Sequence, residues 1–149
     1  MKYGRLLLAD RHLGVLGGAH ALLHDLFDTV VMVADEQSLV EALAERCPDL
    51  VILDLSLPRG KEADLAGRLL ASRPDLRLVV LSAYDEASLA KRVLAAGAAG
   101  FVVKRAVGTD LLPAVRAALA GGTYVSPAVR SSCDKLPSRR AGDPPEVSR

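Results

Sequence analysis

The sequence contains no tryptophan, and its aromatic residues amount to only 3% of 149 positions. A surface that stacks nucleobases on rings is therefore not expected. An excess of one charge is also missing: 19 Lys and Arg stand against 18 Asp and Glu, leaving a formal net charge of +1. That balance gives no electrostatic footprint for nucleic acid. The only cysteines, Cys47 and Cys133, lie far apart and show neither CxxC nor metal-ligand spacing. They are too few for a secreted disulfide framework, so a reducing, cytoplasmic location is expected. Long hydrophobic runs are lacking too: the N-terminal run Leu6 to Ala9 is stopped by Asp10 and Arg11. It is far short of a signal peptide or a spanning helix, and no membrane partner is expected.

What the chain does contain is a series of short apolar runs bounded by turn signals. The most informative is Val51-Ile52-Leu53-Asp54, an aliphatic run that ends on a carboxylate and is followed by Ser56, Leu57 and Pro58. Such runs suit strands buried on both faces of a parallel sheet, and ligands of open α/β sheets collect at the carboxyl ends of those strands. Arg5 to Asp10 likewise ends on an acid. Thr29 to Ala34 is β-branched, Leu76 to Ser82 ends on a hydroxyl, and Gly100 to Lys104 ends on an amine.

Between these runs the apolar period changes to three and four. Leu16, Ala19, Leu23 and Leu26/Phe27 predict a helix over 13–27, weakened by Gly14, Gly17 and Gly18. Ser38 and Glu41 form a capping-box signature for a second helix that stops before Cys47-Pro48. Pro58-Arg59-Gly60 is a turn, and Leu65, Leu69 and Leu70 mark a third helix ending near Arg73-Pro74. Glu86 to Ala96 follows, with Gly97 where a left-handed C-cap belongs. Asp110 to Ala120 is the last, with Pro113 in its first turn. Five strands alternating with five helices predict an α/β domain with a doubly wound parallel sheet. The domain is expected over residues 1–130. Residues 131–149 are polar and proline-bearing, and they are expected to form a disordered tail.

The strand ends assemble a chemical set: Asp10, Asp54, Ser82 and Lys104. Two carboxylates suit Mg2+, which prefers oxygen ligands, and a hydroxyl with an ammonium can bind the oxygens of a phosphoryl group. The set suits aspartyl phosphorylation. Together with Leu8-Ala9-Asp10 followed by His12, Val51 to Pro58, Leu81-Ser82-Ala83, Ala96 to Phe101 and Val103-Lys104, it resembles the receiver domain of bacterial two-component response regulators of the LuxR type. The resemblance spans residues 2–129. It implies a flavodoxin-like fold of strand order 2-1-3-4-5 and phosphoryl transfer from a sensor kinase histidine to Asp54. It also implies that Ser82 is the switch hydroxyl, Phe101 the switch aromatic and Lys104 the phosphate-contacting lysine. Asp10, Asp54 and the backbone carbonyl of Ser56 would hold Mg2+.

Three departures bear on function. Family members usually carry a second acid after the first strand, whereas Asp10 is followed by Arg11, which opposes metal binding. Glu62 stands where a glycine is common. LuxR-type regulators continue into a helix-turn-helix domain, while this chain continues into the polar tail, so direct DNA binding is not expected. The leading reading is a stand-alone, phosphorylatable receiver that signals to a protein partner, with a sensor histidine kinase or phosphotransfer protein upstream. It is not expected to be an enzyme. One alternative is a phosphorylation-independent interaction or homodimerisation domain in which Arg11 replaces the metal; another is the relic of a truncated DNA-binding regulator. His20, His24 and Asp28 could in principle grip a metal, but a solvated helix face accounts for them more simply.

Overall fold

The computed structural model describes residues 3–10, 18–45, 47–57 and 62–129, and of these the side chains at 18–20, 22 and 62–64 are not described. The elements in chain order are β1 (Tyr3–Ala9), α1 (Gly18–Leu26), β2 (Phe27–Val33), α2 (Glu36–Glu45), β3 (Leu50–Asp54) and α3 (Glu62–Ser72), then β4 (Leu78–Ser82), α4 (Ala87–Ala95), β5 (Gly100–Val103), α5 (Val107–Leu119) and β6 (Tyr124–Val125). Every neighbouring pair of strands is parallel, in the order β2-β1-β3-β4-β5-β6. The first five follow the expected order. The order reverses direction between β1 and β3, the point at which open α/β sheets take ligands outside the carboxyl ends of their strands.

Strand alternation divides the core into two layers. Leu6, Leu8, Leu50, Ile52, Val79, Leu81 and Val102 face α1 and α5, where Leu23, Leu111, Ala114 and Val115 cover them. Leu7, Val51, Leu53, Leu78, Val80, Phe101 and Val103 face α2, α3 and α4, meeting Leu39, Leu65, Leu69, Leu89 and Val93. The central strands β3, β4 and β5 are buried along their whole length. This is why their sequences are uninterrupted apolar runs, whereas in the edge strand β2 only Phe27 is buried.

Several boundaries differ from expectation. Phe27 belongs to β2, not to the preceding helix: it pairs with Tyr3 in the ladder and packs its ring 5.7 Å from the Tyr3 ring. An apolar residue at a helix-to-strand junction fits either period. The cap of α2 is Asp35, whose Oδ1 accepts the Ser38 amide at 2.7 Å. Asp35 thus satisfies the third helical N–H, the task that sequence spacing gave to Ser38. Helix α5 starts at Val107, before the expected Asp110, so Pro113 lies in its second turn with the ring exposed. Gly97 has φ of 115° at the end of α4, as expected for a left-handed cap.

The sixth strand was not anticipated. Tyr124–Val125 adds to the outer edge of β5, in register Gly100↔Tyr124 and Phe101↔Val125. The Arg11 and His12 positions, the turn Pro58-Arg59-Gly60, Cys133 and the expected tail all lie outside the described residues.

Candidate functional site

The parallel register of β1 and β3 brings two acids together. Ala9 pairs with Leu53, so the next residues on the two strands, Asp10 and Asp54, stand side by side at the carboxyl edge. The Asp10 amide continues the ladder by donating to the Val33 carbonyl at 3.0 Å. Both acids are buried, with exposures of 0% and 1%. Two strands further on, Ser82 pairs with Val103, which puts Lys104 one residue past the end of β5. There the chain leaves the strand for a single 3-10 turn, Lys104–Ala106. The expected strand thus ends one residue before the amine.

Lys104 reaches back across the sheet edge. Its Nζ donates to Asp54 Oδ2 at 2.6 Å. Ser56 closes the other side: its amide donates to Asp54 Oδ1 at 3.0 Å and its hydroxyl to Oδ2 at 2.9 Å. Burial pushes the Asp54 carboxyl up, because removing a charge from water is costly. The hydrogen bonds from Lys104, the Ser56 amide and the Asp10 carboxyl, with the charge of the ammonium, outweigh that and hold Asp54 below its ordinary value. An ionised carboxylate with oriented donors is the form that can attack an electrophile.

Ser82 is placed differently. It is buried, and its hydroxyl accepts the Tyr84 amide at 3.0 Å. The cause is strand phase: Asp10, Asp54 and Lys104 continue the rows of Leu8, Ile52 and Val102, whereas Ser82 continues the row of Leu78 and Val80 on the opposite face. Phe101 shares that opposite face and is fully buried among the residues against α4. Of the sequence-predicted set, the structure joins Asp10, Asp54, Ser56 and Lys104 directly, and leaves Ser82 and Phe101 as neighbours behind them.

The donor set fits a hard divalent cation. Asp10 and Asp54 supply only oxygen ligands, side by side and buried at the carboxyl edge of the sheet. Among the described residues no cluster of three or more His, Cys, Asp or Glu suggests another metal.

Some contributors escaped the sequence reading. The Ser56 hydroxyl bond is one, since only its carbonyl was expected to matter. Arg105 is another: it pairs with Asp85 at 2.6 Å, linking the loop after β4 to the turn after β5. Both partners are well exposed, so salt screens the pair. A third is Ser126, whose hydroxyl accepts the Val103 amide at 3.0 Å. The β-prone Thr123-Tyr124-Val125 directly after Gly121-Gly122 was the available signal for that segment.

Comparison with known proteins matches the chain to a family. The response regulator receiver domain matches residues 6–116. The oxygen regulatory protein NreC of Staphylococcus carnosus is 31% identical over 131 residues, covering 86% of this chain and 60% of that protein. The chain therefore spans less than two thirds of that relative. The RcsB response regulator of Salmonella typhimurium superposes with a TM-score of 0.83 at 25% identity, covering 97% of this chain and 73% of RcsB. The isolated receiver of RcsB from Salmonella enterica serovar Typhimurium, solved in the presence of the phosphomimetic BeF3-, gives 0.77 at 25% identity, covering 87% of this chain and 98% of that one.

Proposed function

The chain belongs to the response regulator receiver domain family, and from that premise we propose that Asp54 is its phosphoacceptor. The observation that supports this most directly is the 2.6 Å contact between Lys104 and a buried, ionised Asp54 that has Asp10 beside it. In the proposed reaction a carboxylate oxygen of Asp54 attacks the phosphorus of a phosphohistidine on a sensor kinase or phosphotransfer protein. The P–N bond breaks as the P–O bond forms, and the imidazole leaves with the electron pair of the broken bond. The transfer raises the negative charge at the site, and Lys104 stands where its ammonium offsets the charge on the phosphoryl oxygens. Ser56 orients the carboxylate beforehand through both of its donors.

Mg2+ is typical of the family; here Asp10, Asp54 and the Ser56 carbonyl would hold it, and it would supply charge neutralisation. Ser82 is the proposed switch hydroxyl and Phe101 the switch aromatic. In this reading Ser82 exchanges its Tyr84 amide for the phosphoryl group, and the change passes to a protein partner or a second copy. Residues 1–130 form the proposed receiver. Receiver domains are generally not enzymes in their own right, and signalling through conformation is the role proposed.

The test is incubation with a small phosphodonor and Mg2+, followed by intact mass. Wild-type protein is expected to gain one phosphoryl group and Asp54→Asn none; labelling of both proteins, or of neither, overturns the assignment.

A second reading, phosphorylation-independent interaction, is favoured by one feature of the sequence, the guanidinium of Arg11 directly after Asp10. Arg11→Asp separates the two. Faster labelling and tighter Mg2+ binding in the variant mean that Arg11 restrains an intact phosphorylation site. A variant that labels no better than an inert wild type favours the interaction domain.

A further inference from the structure

The segment that follows α5 pairs with β5, the strand that ends one residue before Lys104. Tyr124 N–H donates to the Ala99 carbonyl at 3.0 Å and Ser126 N–H to the Phe101 carbonyl at 2.9 Å, the ordinary rungs of a parallel ladder. The next rung would run from Val103 N–H to the Ser126 carbonyl. That carbonyl is taken by the Val129 amide at 3.0 Å as the chain turns into a helical turn. The Ser126 hydroxyl fills the vacancy, accepting Val103 N–H at 3.0 Å. Ser126 is 0% exposed and Val129 1%, with Val129 packed in the same layer as Phe101. At the other end the Tyr124 hydroxyl donates to Asp110 Oδ1 at 3.1 Å, fixing the segment to α5.

The residue held by this last rung immediately precedes Lys104. Beyond Val103 the chain leaves the sheet, so the Ser126 hydroxyl is the final restraint on the outer edge of β5 before the ammonium crosses to Asp54.

Resting on the phosphoacceptor reading above, we propose that Ser126 is a positioning residue for phosphoryl transfer. It holds the end of β5 so that Lys104 meets the site. Serine suits the position because its hydroxyl can replace a carbonyl in the ladder while its own carbonyl caps the following turn.

The experiment is a double-mutant cycle on phosphodonor labelling in the full chain, with Mg2+. Ser126→Ala is expected to slow labelling about ten-fold or more, because the end of β5 then no longer holds the Lys104 ammonium in register with the site. Ser126→Thr, which keeps the hydroxyl, is expected to restore most of the rate. In a Lys104→Met background the Ser126→Ala change should have no further effect on rate, because the residue acts through Lys104. A merely structural serine would lower the melting temperature but leave labelling per folded molecule unchanged. Equal labelling by folded wild type and Ser126→Ala, or an undiminished effect without Lys104, overturns the inference alone. A wild type that takes no phosphoryl group overturns the phosphoacceptor reading and this inference with it.

Discussion

At the scale of single residues, the site turns on one buried carboxylate whose charge is supported from three directions. Because Asp54 has its pKa lowered in the folded protein, its interactions add stability above the carboxyl pKa of the unfolded chain, about 3.9. That stability is lost as pH falls through the lower folded value. Removing Lys104 takes away the foremost of the groups that oppose burial, and the carboxyl then moves up from its wild-type position. Lys104→Met is therefore expected to cost about 3 kcal/mol at pH 7, the penalty of stranding one member of a buried pair. The gap to wild type should narrow as pH drops below the carboxylate range and Asp54 takes up a proton. Urea denaturation of both proteins at neutral and acidic pH measures this, and a gap that is constant with pH would mean that the pair contributes nothing. The residue types were legible in sequence, since Asp10, Asp54 and Lys104 each end an apolar run. The contacts of Ser56 and Ser82 were not, because a hydroxyl can turn to whichever neighbour the fold supplies, and for Ser82 that neighbour is the Tyr84 amide.

At the scale of elements, the glycine after α4 shows where backbone conformation, not packing, sets the cost. Gly97 has φ of 115°, yet a Cβ there would meet only Leu70 carbons at 3.9 and 4.0 Å, ordinary contact distances. Gly97→Ala should thus destabilise by roughly 1–2 kcal/mol through the left-handed backbone alone. Chemical denaturation is the measurement, and an unchanged midpoint would show that the turn relaxes into another conformation. Helix periods and the Gly97 cap were readable because they depend on residues close in sequence. The start of α5, the cap of α2 and the membership of Phe27 were misplaced, because neighbouring registers score alike until the sheet selects one. The short strand β6 was invisible as a strand: two residues carry no periodicity, and its existence depends on the free edge of β5 contributed by the fold.

At the scale of the whole molecule, the two core layers are closed by residues up to Val129, which is itself buried. The residues from 131 onward offer little apolar surface, so truncation after Arg130 is expected to shift the melting temperature by no more than ~2 °C. Truncation before Tyr124 should be far more damaging, since it uncovers the β5 edge and removes Val129 from the core. Differential scanning fluorimetry on the two truncations checks this, and equal losses would mean that the polar tail is docked. The sequence by itself determined the architecture, because the alternation of fully apolar runs with amphipathic stretches is a local pattern that admits a parallel sheet with helices on both faces. It also determined which residue types stand at the carboxyl edge. Tertiary structure decided the rest: which acids become neighbours, that Lys104 and not Ser82 grips Asp54, and that residues 124–129 return to complete the sheet. Those outcomes depend on strand order, register and phase, which link positions up to 50 residues apart, as in the pair of Lys104 with Asp54, and no local pattern encodes such a pairing.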